Sequence, residues 1–124
     1  MRVLVVEDNQ VNLALLAEII ESLGHECLRA TTAEKGIEVA RTQMPDLVFM
    51  DIKLPGMDGI EATKVLKTDP KTRAVPVVMV TAQAMKDERD RAIEAGADGY
   101  ITKPYRYDTI RQELERWQRR HQGS

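Results

Sequence analysis

The chain has one cysteine, no long apolar run and almost no net charge, and each shortage removes a class of function. With Cys27 alone no disulfide can form within the chain, which suits a reducing cytosol. Cys27 itself reads as a buried structural residue rather than a redox sensor. No apolar stretch approaches the roughly 20 residues that span a bilayer. A first strand opening at Arg2 leaves no room for a signal peptide, so a cytoplasmic protein without membrane contact is expected. A net charge of −2 gives no general affinity for nucleic acid. Internal repeats, low-complexity tracts and linkers are also missing. What remains is 124 residues, 43% hydrophobic and 31% charged, enough for one domain with a real core and too few for two. That domain is expected over 1–121, with 122–124 as a tail.

Strand-like and helix-like patterns alternate along the chain. Apolar or half-apolar segments near 2–6, 26–30, 46–50, 76–80 and 99–102 read as strands. Leu16, Ile19, Ile20 and Leu23 follow the i, i+3, i+4, i+7 spacing of a helix face, with Gly24 placed to end it. Ala33, Gly36, Ile37 and Ala40 repeat the spacing, and Ile110, Leu114 and Trp117 carry it again behind Asp108, the expected N-cap. The stretch after Gly59, with Ile60, Val65 and Leu66, is less regular. The segment 84–95 is the weakest helix: Met85 and Ile93 are its large apolar residues, around a charged run from Lys86 to Arg91. It reads either as a solvated surface helix or as an element free to shift. Alternation of this kind predicts right-handed βαβ units and an α/β doubly wound parallel sheet of five strands, with helices on both faces. The half-polar segment Glu26-Cys27-Leu28-Arg29 suits one edge and the short fifth segment the other.

Four of the apolar segments end in polar residues. Val3 to Val6 is followed by Glu7-Asp8, Leu47 to Met50 by Asp51, Val77 to Val80 by Thr81, and Tyr100-Ile101-Thr102 by Lys103-Pro104. In an open parallel sheet, ligands bind at the carboxyl ends of the strands, so these residues are expected to meet. Two carboxylates about 4 Å apart repel by roughly 4 kcal/mol at an effective dielectric of about 20. Lys103 alone does not offset three of them, whereas a divalent cation brings the formal charge near zero. Oxygen ligands with no histidine or second cysteine nearby favour Mg²⁺. Mg²⁺ takes one or two carboxylates, which leaves one free as a nucleophile. Asp51 is the candidate, because carboxylates form acyl phosphates in phosphoryl transfer. The Thr81 hydroxyl and the Lys103 ammonium are then placed to meet phosphoryl oxygens.

These motifs resemble, along essentially the whole chain, the receiver domain of two-component response regulators. The matching stretches are Val5-Val6-Glu7-Asp8-Asn9, Met50 through Gly59, Val80-Thr81-Ala82 and Gly96 through Pro104. The resemblance implies a (βα)5 flavodoxin-like fold with strand order 2-1-3-4-5. It implies that Asp51 accepts a phosphoryl group from the phosphohistidine of a sensor histidine kinase or a histidine phosphotransfer protein. It implies Mg²⁺ held by Glu7, Asp8, Asp51 and the backbone carbonyl of Lys53. Thr81 and Lys103 bind the phosphoryl oxygens, Ala82 leaves access to them, and the Lys103-Pro104 bond is cis. Tyr100 is implied as the aromatic switch, against the plainer reading of an edge-strand aromatic. The Asn9 and Asn12 pair resembles receivers that stand alone or sit in hybrid kinases.

Three local features are not settled by those motifs. The Lys53 side chain reads either as a cover over the phosphoryl group or as a solvated loop lysine. Tyr105-Arg106-Tyr107 is expected to pack over the start of the last helix, the alternative being a partner hot spot. The basic run from Arg116 to His121 is ordinary charge near a helix C-terminus. The function expected is a phosphorylation-dependent switch, not an enzyme, whose downstream protein target docks on the 84–119 face. An aspartate-nucleophile phosphatase is disfavoured, because such enzymes carry a second acid two positions after the nucleophile, where this chain has Lys53. A phosphorylation-independent binding module is disfavoured because no site residue is lost.

Overall fold

Five strands and five helices alternate in the computed structural model, which describes residues 1–123, with side chains to 121; the tail expected at 122–124 lies outside the fully described residues. The elements are β1 (Arg2–Val6), α1 (Gln10–Ser22), β2 (Glu26–Ala30), α2 (Ala33–Gln43) and β3 (Leu47–Asp51). They continue with α3 (Gly59–Thr68), β4 (Val77–Thr81), α4 (Lys86–Glu94), β5 (Gly99–Thr102) and α5 (Tyr107–Gly123). All pairings are parallel and the order is β2-β1-β3-β4-β5, the doubly wound arrangement expected.

Apart from Arg2, Asp51 and Thr81 at their ends, the three central strands are apolar because both of their faces are covered. Alternate residues divide between two cores. Leu4, Val6, Val48, Met50 and Met79 pack with Ala33, Ala40, Ile60 and Leu66 from α2 and α3. Val3, Val5, Leu47, Phe49 and Val78 pack with Leu16, Ile20, Ile110, Leu114 and Trp117 from α1 and α5. Burying a side chain of this size stabilises by about 1.5–3 kcal/mol, so the strands that carry the acidic ends form the best-anchored part of the molecule. Half-polar β2 and short β5 take the edges, as expected.

The helices start where short polar side chains can satisfy free N–H groups. Asn9 accepts from the Asn12 N–H, Thr32 from Lys35 and Asp58 from Glu61. Gly24, at φ 88°, follows the end of α1 as its left-handed residue, as expected. Asp108 is not an N-cap: α5 already begins at Tyr107, with the Ile110 N–H bonded to the Arg106 carbonyl. Asp108 instead lies in the first turn, where a carboxylate favours the helix dipole, 3.7 Å from Arg111. α4 has no side-chain cap, and both of its expected anchors, Met85 and Ile93, are exposed; Ala92 is its buried residue.

Two strands begin and end one residue later than the sequence pattern suggests. Asp46 and Pro76 stay outside the ladder. The Asp46 carboxylate accepts the Arg2 N–H at 2.8 Å, and Pro76, which has no N–H, offers its carbonyl to Val48 at 2.9 Å. Asp51 and Thr81 therefore belong to their strands, with Asp51 paired to Val80 and Thr81 to Thr102. Cys27, on the edge strand, is half-buried rather than buried, and burial pushes its thiol up to about 11, which keeps it protonated and unreactive.

Candidate functional site

The register sets four polar groups side by side. Val6 pairs with Met50 and Met50 with Met79, so Glu7 and Asp51 emerge level with one another at the sheet's carboxyl edge. One step past β5, the Lys103 N–H bonds the Thr81 carbonyl at 2.7 Å, which ties the fourth outpost to the third. The Lys103-Pro104 bond is cis, as the motif implied.

Glu7 is completely buried and fully partnered. Its Oε1 lies 2.8 Å from Lys103 Nζ and accepts the Tyr105 hydroxyl at 3.0 Å, while Oε2 accepts the Asn9 N–H at 3.2 Å. Asp51, only 4% exposed, meets Lys103 Nζ at 3.1 Å through Oδ2 and the Lys53 N–H at 3.3 Å through Oδ1. Asp8 is exposed at the mouth. Glu7, Asp8 and Asp51 each offer an oxygen within 4.8 Å of the others.

The two buried carboxyls behave oppositely. Burial raises Asp51, and the hydrogen bond and negative charge of Glu7 raise it further, to about 7, against the weaker pull of Lys103. Burial raises Glu7 too, but hydrogen bonds from Asp51, Lys103 and Asn9 outweigh that and hold it below the usual range. Without a cation Asp51 thus titrates near neutral pH rather than in the ordinary carboxylate range. Lys103, although partly desolvated, is raised by Glu7 and Asp51 and stays charged. Three carboxylates and one ammonium leave two negative charges over when all are ionised. The donor set is oxygen only, two groups are buried and one faces solvent, and the pocket has surplus negative charge: a hard divalent cation such as Mg²⁺ fits.

The structure brings together Glu7, Asp8, Asp51 and Lys103. Thr81 is buried beside them, but its hydroxyl turns away, 2.9 Å from Glu88 Oε1 on α4. The Tyr100 hydroxyl points at the same oxygen from 3.4 Å. Ala82 is exposed next to Thr81, and the Lys53 side chain is exposed on the loop after β3. A groove of about 460 Å³ lies beside the pocket, lined by Arg89, Tyr100, Lys103, Pro104 and Arg106.

Tyr105, Glu88 and Gly59 were not identified as site residues from sequence. Tyr105 is buried against Glu7, whereas its neighbour Tyr107 is exposed, so the expected packing of the Tyr105-Arg106-Tyr107 stretch applies to its first residue. A buried Glu7 needs donors, and that need was the available signal for Tyr105. Glu88 sits inside a charged run and carries no signal of its own. Gly59 starts α3 directly over the Asp51 carbonyl, so closely that a Cβ would stand 2.0 Å from that oxygen.

Comparison with known proteins agrees with this geometry. Residues 3–115 match the family described as the response regulator receiver domain. The polar-differentiation response regulator DivK of Brucella ovis is 43% identical over 102 residues, covering 82% of this chain and 83% of that protein. Among solved structures, a CheY-like response regulator receiver domain protein from Methanospirillum hungatei superposes with a TM-score of 0.89 at 29% identity, over 99% of this chain and 98% of that one. The receiver domain of the sensor histidine kinase PA1611 from Pseudomonas aeruginosa, solved with a magnesium ion in its active-site cleft, gives 0.87 at 31% identity, over 94% and 95%.

Proposed function

This chain belongs to the response regulator receiver domain family of two-component signalling, and from that premise we propose that it is a switch thrown by phosphorylation of Asp51. The observation that carries the reading is the buried Asp51 carboxylate held by Lys103 at 3.1 Å, inside the three-carboxylate cluster. The phosphoryl donor is the phosphohistidine of a sensor histidine kinase or of a histidine phosphotransfer protein. An Asp51 oxygen attacks phosphorus, the O–P bond forms, and the P–N bond breaks with its electron pair going to the imidazole nitrogen. Glu7, Asp8, Asp51 and the Lys53 carbonyl would hold Mg²⁺, which supplies positive charge to the phosphoryl oxygens. Glu7 is kept ionised for that purpose by its three donors. Lys103 already bridges Glu7 and Asp51 and needs only a small turn to pair with a phosphoryl oxygen. Ala82 adds no bulk beside the path of the incoming group.

The new acyl phosphate brings about 1.5 to 2 negative charges and strong acceptors. Thr81 rotates toward them, and Tyr100 moves into the space it leaves. The surface of α4, β5 and α5 changes shape, and a downstream protein target reads the 84–119 face. Receivers are signalling modules rather than turnover enzymes. Lys53 stands where an aspartate-nucleophile phosphatase would carry its second acid, and it offers no proton acceptor to an attacking water.

The test is incubation with acetyl phosphate and intact-mass measurement. With Mg²⁺ the chain gains one phosphoryl group that persists. With EDTA, or in Asp51→Asn, it gains none. Unmodified wild-type protein in Mg²⁺ sinks the reading, and many turnovers of released phosphate would favour the phosphatase.

Lys53 provides a second prediction. Its N–H is fixed on Asp51, and its exposed side chain is free to lie over the phosphoryl group and block water. Phosphate loss after removal of acetyl phosphate is expected to run a few-fold faster in Lys53→Ala. Equal decay in the two proteins would make Lys53 an ordinary loop lysine. No helix among the described residues is long and apolar enough to cross a membrane.

A further inference from the structure

We propose that Glu88 is a latch on this switch: one oxygen of its carboxylate holds the hydroxyls of both Thr81 and Tyr100 in the unphosphorylated arrangement. The inference rests on the reading of Asp51 as phosphoryl acceptor and adds a residue that opposes it. Glu88 acts through Thr81 and is therefore a positioning residue.

The geometry is specific. Thr81 Oγ1 lies 2.9 Å and Tyr100 Oη 3.4 Å from Glu88 Oε1, the same atom. Thr81 has a single hydroxyl proton, with a second acceptor in the Gln83 carbonyl at 3.1 Å. The carboxylate is nearer and carries charge, so it takes the proton. A phosphoryl group on Asp51 needs that proton as well. Two anions on opposite sides of Thr81 therefore compete for one donor, and whatever Glu88 contributes to holding Thr81 must be given up when Asp51 is phosphorylated.

α4 gives the latch its leverage. The helix lacks a side-chain cap, Met85 and Ile93 face solvent and Ala92 is its buried residue, so the two hydrogen bonds to Glu88 add to a small apolar anchor. Arg89, the next residue, lies with its guanidinium 5.9 Å from the centre of the Tyr100 ring. Glu88 and Arg89 thus grip the hydroxyl and the face of the same tyrosine. Burial and the Glu88 charge push the Tyr100 phenol up, which keeps it a donor. When Thr81 leaves, Glu88 retains only its longer contact, and Tyr100 and α4 are released together.

Beryllofluoride with saturating Mg²⁺, as a mimic of the phosphoryl group, tests the competition directly. Its affinity is measured in wild type, Glu88→Ala, Glu88→Gln, Thr81→Ala and the Thr81→Ala/Glu88→Ala double variant, with the affinity for Mg²⁺ alone measured beside it. Glu88→Ala is expected to bind about fivefold tighter, and Glu88→Gln to fall between, because its amide oxygen still accepts but without charge. Mg²⁺ affinity is expected to stay unchanged. In the Thr81→Ala background, Glu88→Ala is expected to add nothing. No tightening in Glu88→Ala overturns the latch. Equal tightening without Thr81 also overturns it, because the effect is then a general loosening of α4. A readout independent of Asp51 chemistry is the fluorine resonance of fluorotyrosine at position 100 in the unliganded protein. It is expected to move in Glu88→Ala, and a resonance that stays put overturns the latch. Wild type that binds neither Mg²⁺ nor beryllofluoride would refute the acceptor reading, while the fluorine experiment still decides whether Glu88 holds Tyr100.

Discussion

In EDTA at pH 8, Asp51→Asn is expected to be more stable than the parent protein by about 2–4 kcal/mol, although it accepts no phosphoryl group. Asp51 is raised to about 7 in the folded protein, first by burial and then by Glu7, from an ordinary value of 3.8. The fold therefore favours its protonated form. The stability this contributes is fully present below the unfolded value and is lost as pH rises through about 7. A difference of about three units corresponds to roughly 4 kcal/mol at most. Asparagine carries no charge at any pH, still accepts from the Lys53 N–H, and leaves Lys103 with Glu7 as its anion. At pH 5 the parent holds its proton and the gap should shrink. Saturating Mg²⁺ at pH 8 should stabilise the parent by mass action and leave the variant nearly unmoved. Urea melts at the two pH values and with Mg²⁺ check all three statements. A variant no more stable than the parent at pH 8 would mean that the pocket tolerates its charges without a cation.

Gly59→Ala is expected to cost about 3 kcal/mol or more, and to weaken Mg²⁺ binding in whatever protein still folds. The added Cβ would lie 2.0 Å from the Asp51 carbonyl oxygen and 2.8 Å from its carbon, and both are backbone atoms. Neither side can give way easily. The Gly59 N–H is bonded to the Ile52 carbonyl at 2.8 Å, and the Ile52 N–H to the Val80 carbonyl at 3.0 Å. Relief must come from lifting the start of α3 off the end of β3, a large overpacking cost, and that end carries Asp51. Gly24→Ala is the comparison: nothing lies within 4 Å of its added Cβ, so only left-handed backbone strain is at stake, roughly 1–2 kcal/mol. Equal losses at the two positions, by urea melts, would show that β3 and α3 can separate freely.

The site was legible where chemistry and strand pattern coincide. Glu7, Asp51 and Thr81 follow unbroken apolar runs and Lys103 a short half-apolar one, and a parallel sheet gathers such ends without further information. The same logic fixed the edges, because Glu26 and Arg29 cannot face two cores. It failed where a contact depends on the direction of one side chain. Tyr105 follows Lys103-Pro104 by one residue, and nothing in that spacing says whether its ring turns toward Glu7 or out, as Tyr107 does. The Thr81 hydroxyl meets Glu88, which the sequence did not signal, since an acceptor seven residues further on in a charged run looks like any solvated glutamate. The weakness of α4 was visible in its composition. That its two large apolar residues anchor nothing required the structure.

Asp51 and Thr81 are ladder residues, and Glu7 and Lys103 stand one position beyond theirs. Chain length is therefore constrained very unevenly. Side chains along a strand alternate between faces, so deleting one residue from β1, β3, β4 or β5 would turn that strand's outpost to the wrong side while hardly altering composition or hydrophobicity. The loops that precede the strands are under no such constraint, and insertions there are expected to leave the pocket intact. Tolerance to gain or loss of residues should thus follow the polarity of the sheet: strict toward its carboxyl edge, permissive toward its amino edge.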